Sequence, residues 1–415
     1  MSGALLGLWI ALIAADRIDL LGDRGPFILT PFLALTPLVI AAELVRRRMQ
    51  GRRLTLTRSA VAYAAVSSLL LGVVLASVFH AEDLPTSAAR ATLLVADVVS
   101  TFVVAVVCAD RDDLSLVLAR GAAASFVLFA LFDVREALWF IGRGPESMRL
   151  GSVLLHFDAL QNAGPLPRLA GPVGDGNRAG FVLVFYAASI AAGERRRWLR
   201  NLGLALASIF FLVTVSRSAT MAAVATFGMA SLAGRVRIAP AAVLAVIVAF
   251  SVGTVAMLVR PTLVSHAAYA LESPLAERVS TNEGSAEGHL ELIERGVETA
   301  SESVPRAIAG VGFGNAYRVL QDIFPGNRYG NFHSLYVTML AESGVFALIL
   351  TLLLFAVPLS AGGAWRPLVA GAAAFNIFYQ ATAEPVFWFL LAFAWLAMPR
   401  RSVSAAREDA PPAAG

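Results

Sequence analysis

Hydrophobic and polar positions in this chain segregate into long apolar blocks separated by polar breaks, many of them short and marked by arginine. A helix needs roughly 20 apolar residues to cross about 30 Å of hydrocarbon. Blocks of about that scale recur near 3–16, 26–45, 59–79, 91–109, 114–133, 179–193, 201–216, 218–234, 239–259, 333–358, 367–383 and 385–398. The pattern predicts an all-α fold, a polytopic membrane helical bundle of about twelve transmembrane helices. Residues 1–400 read as a single membrane domain without internal repeats, and 401–415 as a disordered tail whose Pro, Ala and charge content supports no packed core. The first block has no basic residue ahead of it, so a retained span is expected rather than a cleaved signal peptide.

Two polar segments are too long to be simple turns, 134–178 and 260–330. Within the second, Leu290, Ile293, Val297 and Ala300 recur at helical spacing opposite a glutamate-rich side. They predict an amphipathic helix lying on the bundle or at the membrane interface. The breaks "RRRMQGRR" (46–53), "ERRRWLR" (194–200) and "GRVR" (234–237), and the tail from 400, all fall on one side of a twelve-span arrangement. The positive-inside rule makes that side cytoplasmic, together with both termini. The segment between spans nine and ten, 260–330, becomes a large extracytoplasmic loop.

Composition agrees with a membrane protein: 58% of residues are hydrophobic and 15% charged, with a mean hydropathy of +0.71. All 33 basic residues are arginine. No basic face is interleaved with aromatics, so no nucleic-acid partner is expected. Cys108 is the single cysteine, which excludes an intrachain disulfide and a cysteine metal site. No cofactor and no metal are expected.

Charge at a membrane boundary is costly unless solvated or paired, so its placement points to chemistry. Arg217 sits where 201–234 must cross twice and turn, which draws it towards the lipid boundary. It can snorkel to headgroups, or aim its planar fork of donors at phosphate oxygens. Asn177 and Arg178 in "GDGNRAG" stand at an outer helix start, where a helix-starting role competes with a ligand role. Arg260 and Arg278 carry the same ambiguity. These arginines gather on the face that the positive-inside rule keeps poor in basic charge.

His333 opens the tenth block. A helix over 333–358 would be about 39 Å long and would leave the imidazole at the outer surface. Its unperturbed pKa of about 6.5 suits it to take a proton from a hydroxyl, or to contact phosphate when charged. Tyr336 would follow on the same face. Glu342 would lie about 13 Å deeper and on the opposite side, pairing with an arginine or capping a break at Ser343 and Gly344. In "GVGFGN" (310–315), Gly310, Gly312 and Gly314 predict a tight backbone path back to the membrane. Backbone amides there offer a lesser chance of anion binding.

The residues "GNRAG", "SRSA", "GVGFGN" and "NFHSLYVTMLAESG" together resemble the O-antigen ligase and polysaccharide polymerase superfamily of bacterial inner-membrane glycosyltransferases. In that family a glycine-rich segment precedes a histidine, then Asn or Ser, an aromatic and "E-x-G". His333, Ser334, Tyr336, Glu342 and Gly344 fit that order. The resemblance implies a GT-C-like fold and metal-independent, inverting transfer of a glycan from an undecaprenyl-diphosphate-linked donor to a glycan or lipid A-core acceptor. Membrane lipids would be further partners, and the site would lie at the extracytoplasmic face of the inner membrane. It also implies that His333 is the general base or lies near the diphosphate, while Arg217 holds the leaving group. The family's usual arginine early in the loop helix is replaced by His289, with Arg278 or Arg295 able to supply the charge. A transporter or flippase of lipid-linked saccharides, or a non-catalytic assembly factor, is the alternative class.

Overall fold

A computed structural model of the chain describes residues 2–22, 28–157, 162–163, 166–214, 216–233, 283–326 and 330–399, with backbone only at 162–163, 166–167 and 283–289. The helices are α1 Ser2–Leu12, α2 Pro31–Met49, α3 Arg58–Val78, α4 Leu84–Cys108, α5 Leu114–Phe140, α6 Gly176–Gly193, α7 Arg197–Thr214 and α8 Arg217–Leu232. Then come α9 Glu283–Ser301, the short α10 Val304–Ala309 and α11 Ala316–Val319, α12 Leu335–Ala361, α13 Arg366–Phe375 and α14 Pro385–Leu396. Every predicted block falls on a helix except 239–259, which lies outside the described residues. Among the described residues five helices, α3, α4, α5, α7 and α12, are long and apolar enough to cross a membrane by length and composition.

Local chemistry sets the helix starts. Thr57 accepts from the Ala60 amide, Asp83 from Thr86, Ser216 from Ala219 and Glu384 from Val386, each satisfying an amide left over at a first turn. Helix α14 is apolar all round and buried from Pro385 to Trp395, which places it at the centre of the bundle. It packs against α3, α4, α12 and α13, and Phe389 meets Trp9 of α1 with ring centroids 5.2 Å apart. Helices α8 and α13 approach closely because Gly371 has no side chain: a Cβ there would stand 1.9 Å from the Thr226 hydroxyl. Small residues at such crossings are how apolar helices pack where water exclusion gives no drive.

The connecting segments bond within two groups. The α2–α3 and α4–α5 connections meet through Arg46–Asp110 at 2.7 Å, and Arg111 reaches Ser2 at the start of α1. At the other end the Arg17 amide donates to Pro172 O, the Asp83 amide to the Asn315 side-chain oxygen, and the Leu335 amide to Asn376 O and Tyr379 O.

The structure corrects the all-helical expectation at one place. Strands β1 Ile18–Asp19, β2 Ser147–Leu150 and β3 Val153–His156 form an antiparallel sheet in the order β1-β3-β2, and β4 Asn162–Ala163 pairs with β5 Leu166–Pro167. Leu155 of the sheet packs with Phe132 and Phe157, giving the 134–178 segment a small core of its own. Helix α5 runs past the expected end at 133, because Glu136 is satisfied inside the protein by the Ala170 amide at 3.0 Å and Arg17 at 3.3 Å. Helix α13 stops well short of 383. The Asn376 side chain donates to Ala372 O and accepts from the Ala381 amide, turning the chain out of the helix.

Helix α9 forms and packs on α12, but its buried face is not the expected one. Leu292, Gly296, Thr299 and Ala300 face inward, and Leu290 and Val297 are exposed. The stripe rotates because Gly296 allows the closest approach, against Val337 and Phe332.

Candidate functional site

The N-terminus of α6 and the α7–α8 turn are locked to one another. Asp175 caps α6 by accepting from the amides of Asn177 and Arg178, both at 2.9 Å. The Asn177 side-chain oxygen then accepts from Ser216 in the α7–α8 turn and from Arg168, again at 2.9 Å. Arg168 also donates to Thr214 O at 3.1 Å. Burial lowers the pKa of Arg168, Asp175 and Tyr379 oppose that, and nearby Arg217 adds to it. Arg217 itself begins α8, is exposed, and forms no ion pair among the described residues. Two guanidiniums therefore lie close together, one held by neutral oxygens and one open.

Arg178 points elsewhere. Its Nε donates to Glu384 at 3.0 Å, and its Nη2 donates to Asp16 and to Ala383 O. Both carboxylates bind the guanidinium, so Arg178 ties α6 to the segments before β1 and α14. Asn177 likewise spends its side chain on Arg168 and Ser216.

His333 is not on a helix, which corrects the picture of a helix running from 333. Helix α12 begins at Leu335, and His333 adopts φ +51°, a left-handed backbone that a non-glycine residue seldom takes. Asn331 holds it there by accepting the His333 amide at 2.8 Å. The ring meets Tyr379 edge-on, with centroids 6.4 Å apart. The Tyr379 hydroxyl hydrogen-bonds to Asp175. His333, Tyr379 and Asp175 thus neighbour one another in turn, and the charges of Asp175 and Arg217 are both felt at Arg168. Tyr336 does not share this face: its hydroxyl donates to Ala373 O at 3.0 Å and its ring packs on Phe355.

The glycine segment is a closed nest. Gly310, Gly312 and Gly314 have φ of +72°, +97° and +80°. Amides from Gly310 to Ala316 all have acceptors within the protein: Arg306 O, Ala341 O, Glu342 O, Ser77 Oγ, Glu342 Oε2, Gly312 O and Glu342 Oε1 in order. The loop binds an anion after all, and that anion is the buried carboxylate of Glu342. The pairing is possible because α12 breaks at Gly344, φ +85°, where a Cβ would lie 1.9 Å from Ile308 O. Glu342 therefore serves the loop; the outward amides expected for a substrate anion are not there.

The loop is fixed on its other side by the α3–α4 corner. Asp83 accepts from the Tyr317 hydroxyl, and Arg90 donates to Gly314 O at 2.8 Å. The Tyr317 hydrogen bond, with those from Thr86, holds the Asp83 carboxyl down at about 2. Arg295 pairs with Asp322 at 3.0 Å. Arg260 and Arg278 lie outside the described residues; His289 falls on α9, with its side chain outside them.

Arg168, Asp175 and Tyr379 join the site without having been singled out in the sequence. Asp before "GN" is a helix-capping signal, and Arg168 is an arginine on the face kept poor in them. Tyr379 carried no signal, being one aromatic within a block read as a span.

Residues 202–352 match the family model described as O-Antigen ligase. That stretch holds Arg217, the glycine nest, His333 and Glu342, but not Arg168, Asp175 or Tyr379. No curated protein matches the chain.

Proposed function

We propose, from the match of residues 202–352 to the O-antigen ligase family model, that this protein transfers a glycan from an undecaprenyl-diphosphate-linked donor to an acceptor hydroxyl at the extracytoplasmic face of the inner membrane. The observation that supports this reading is the grouping of His333 with Tyr379 and Asp175, near an Arg168 that feels the charge of the exposed Arg217. It supports a pairing of His333 as proton acceptor with Arg217, a cation that has no acidic partner among the described residues.

In the proposed step the acceptor oxygen attacks the anomeric carbon and its proton passes to the His333 imidazole. The bond from that carbon to the diphosphate breaks, and the electron pair leaves on the phosphate oxygen. Charge developing there is met by Arg217, whose fork of N–H donors suits phosphate. Attack opposite the leaving group inverts the anomeric configuration. Arg168, Asn177 and Ser216 set the position of the α7–α8 turn and so of Arg217. Arg178 is a positioning residue, fastening α6 by its two carboxylates. Arg260, Arg278 and His289 remain candidates for holding donor or glycan. The twelve-span topology with both termini cytoplasmic belongs to the same reading, supported by the grouping of the connecting segments at two ends.

The test is a reconstituted reaction containing the protein, a lipid-linked donor and an acceptor glycan, analysed for a new glycosidic bond. Wild type is expected to form it, and His333→Ala to lose it while remaining in the membrane. No product from wild type with either acceptor class would defeat the reading in favour of a transporter or an assembly factor. The glycan of a deletion strain separates the two reactions. A single repeat unit still attached indicates a polymerase, whereas accumulated full-length lipid-linked polymer indicates a ligase.

A further inference from the structure

The end of the bundle opposite the proposed site carries a cleft that glycan transfer does not use. Helix α2 ends in Arg46, Arg47 and Arg48, and Gly51, at φ +65°, reverses the chain. The Arg52 amide then donates to Arg47 O at 2.9 Å, which lays residues 52–54 alongside the last turn of α2. Between the two strands of chain lies a cleft of about 310 Å³ lined by Arg47, Arg48, Arg52 and Arg53, with Leu44 and Leu54 on its apolar edge.

Charge pairing distinguishes these arginines. Arg46, Arg47, Arg52 and Arg111 form one ion-pair network with Glu43, Asp110, Asp112 and Asp113. Four cations meet four carboxylates, so the network is neutral as it stands. Arg48 and Arg53 lie outside it; both are exposed, and neither has an ion pair among the described residues. The cleft therefore presents two uncompensated guanidiniums on a rigid, already neutralised base. Around it Leu44, Val45, Met49 and Leu54 are exposed, at 44%, 58%, 83% and 48%.

We infer that this cleft is a binding site for the phosphodiester headgroup of an anionic membrane lipid, bridged by Arg48 and Arg53. Guanidinium forks take phosphate oxygens in pairs. The exposed apolar rim is suited to acyl chains, which a free phosphate lacks. Basic clefts at the cytoplasmic ends of membrane helices attract anionic lipids by about 1 kcal/mol for each arginine.

The full-length protein, purified in detergent and stripped of lipid, is titrated with phosphatidylglycerol, phosphatidylcholine or inorganic phosphate, and bound species are counted by native mass spectrometry. Phosphatidylglycerol is expected to bind in preference to phosphatidylcholine, with inorganic phosphate a poor competitor. R48Q and R53Q should each weaken it about fivefold and the double variant about thirtyfold. R143Q, which removes an exposed arginine from the other end, should leave it unchanged. Unaltered binding by the double variant overturns the inference. So does equal binding of the two phospholipids, and inorganic phosphate that displaces the lipid at equal concentration would make this a free-anion site. The wild-type competition decides the matter even if a variant fails to fold.

Discussion

Two arginine groups at opposite ends of this bundle, one around Glu43 and one around Asn177, use the residue in opposite ways. At one end Arg46, Arg47, Arg52 and Arg111 are consumed by four carboxylates, and Glu43 is fully buried among them. At the other, Arg217 stands exposed without an acidic partner among the described residues, near an Arg168 held by neutral oxygens. Buried opposite charges that satisfy one another hold helices in register, and neither is left over for a ligand. A cation without a counter-charge adds little to the fold and keeps its full attraction for an incoming anion. The same residue type thus fastens the Glu43 group and stays open at Arg217.

The largest expected effect tests the open end. Arg217→Ala should reduce glycan transfer by about 10²–10³-fold, the usual loss when one donor to a developing oxyanion is removed. Its unfolding free energy should change by no more than about 0.5 kcal/mol. A variant that melts early but transfers normally once corrected for folded protein would put Arg217 among the fasteners. The paired end should respond in reverse. Arg111→Ala removes a 2.6 Å contact from the buried Glu43 carboxylate and should destabilise by about 3 kcal/mol, read from denaturant unfolding in detergent. Transfer per folded molecule should stay at the wild-type level; a selective loss of turnover would erase the contrast.

A smaller effect is expected at the glycine nest. Glu342→Gln loses the charge that accepts two backbone amides and should cost about 2 kcal/mol locally. Hydrogen exchange at Gly314 and Ala316 reads this as roughly thirtyfold faster opening; unchanged protection would mean the carboxylate is not what closes the loop. The smallest effect is a pH dependence. Asp83 has its pKa lowered in the folded protein to about 2, so its contribution is complete above the unfolded value of about 3.9. It is lost as pH falls through 2. Exchange or proteolysis at 315–326 should therefore rise only in that acid window, and Asp83→Asn should abolish the rise.

Much of the helical layout was legible because apolar blocks of spanning length leave few alternatives. The departures have definite causes. Hydrophobicity does not register that Asn376 can satisfy both the helix it ends and the turn it starts, so α13 was drawn too long. Nor does it credit a glycine with burial, so the inward face of α9 was placed on Leu290 and Val297 rather than around Gly296. His333 stands at the start of a predicted block, yet "NFHS" contains an Asn able to hold a turn and a Ser able to precede a helix. Those two residues put the break before Leu335. The grouping of Tyr379 with Asp175 could not be read at all, because it joins positions about two hundred residues apart.

The nest formed by Gly310 to Ala316 also has a consequence for the order of assembly. Only two of its amides, those of Gly310 and Asn315, find acceptors within the loop and its adjoining helix; Phe313 looks back to Ser77, and the remaining four wait for Ala341 and Glu342. During synthesis the segment leaves the ribosome with its backbone unsatisfied and must be kept by water until the next helix arrives. Closure of the loop is therefore a late event, timed by the arrival of α12, which supplies Ala341 and Glu342.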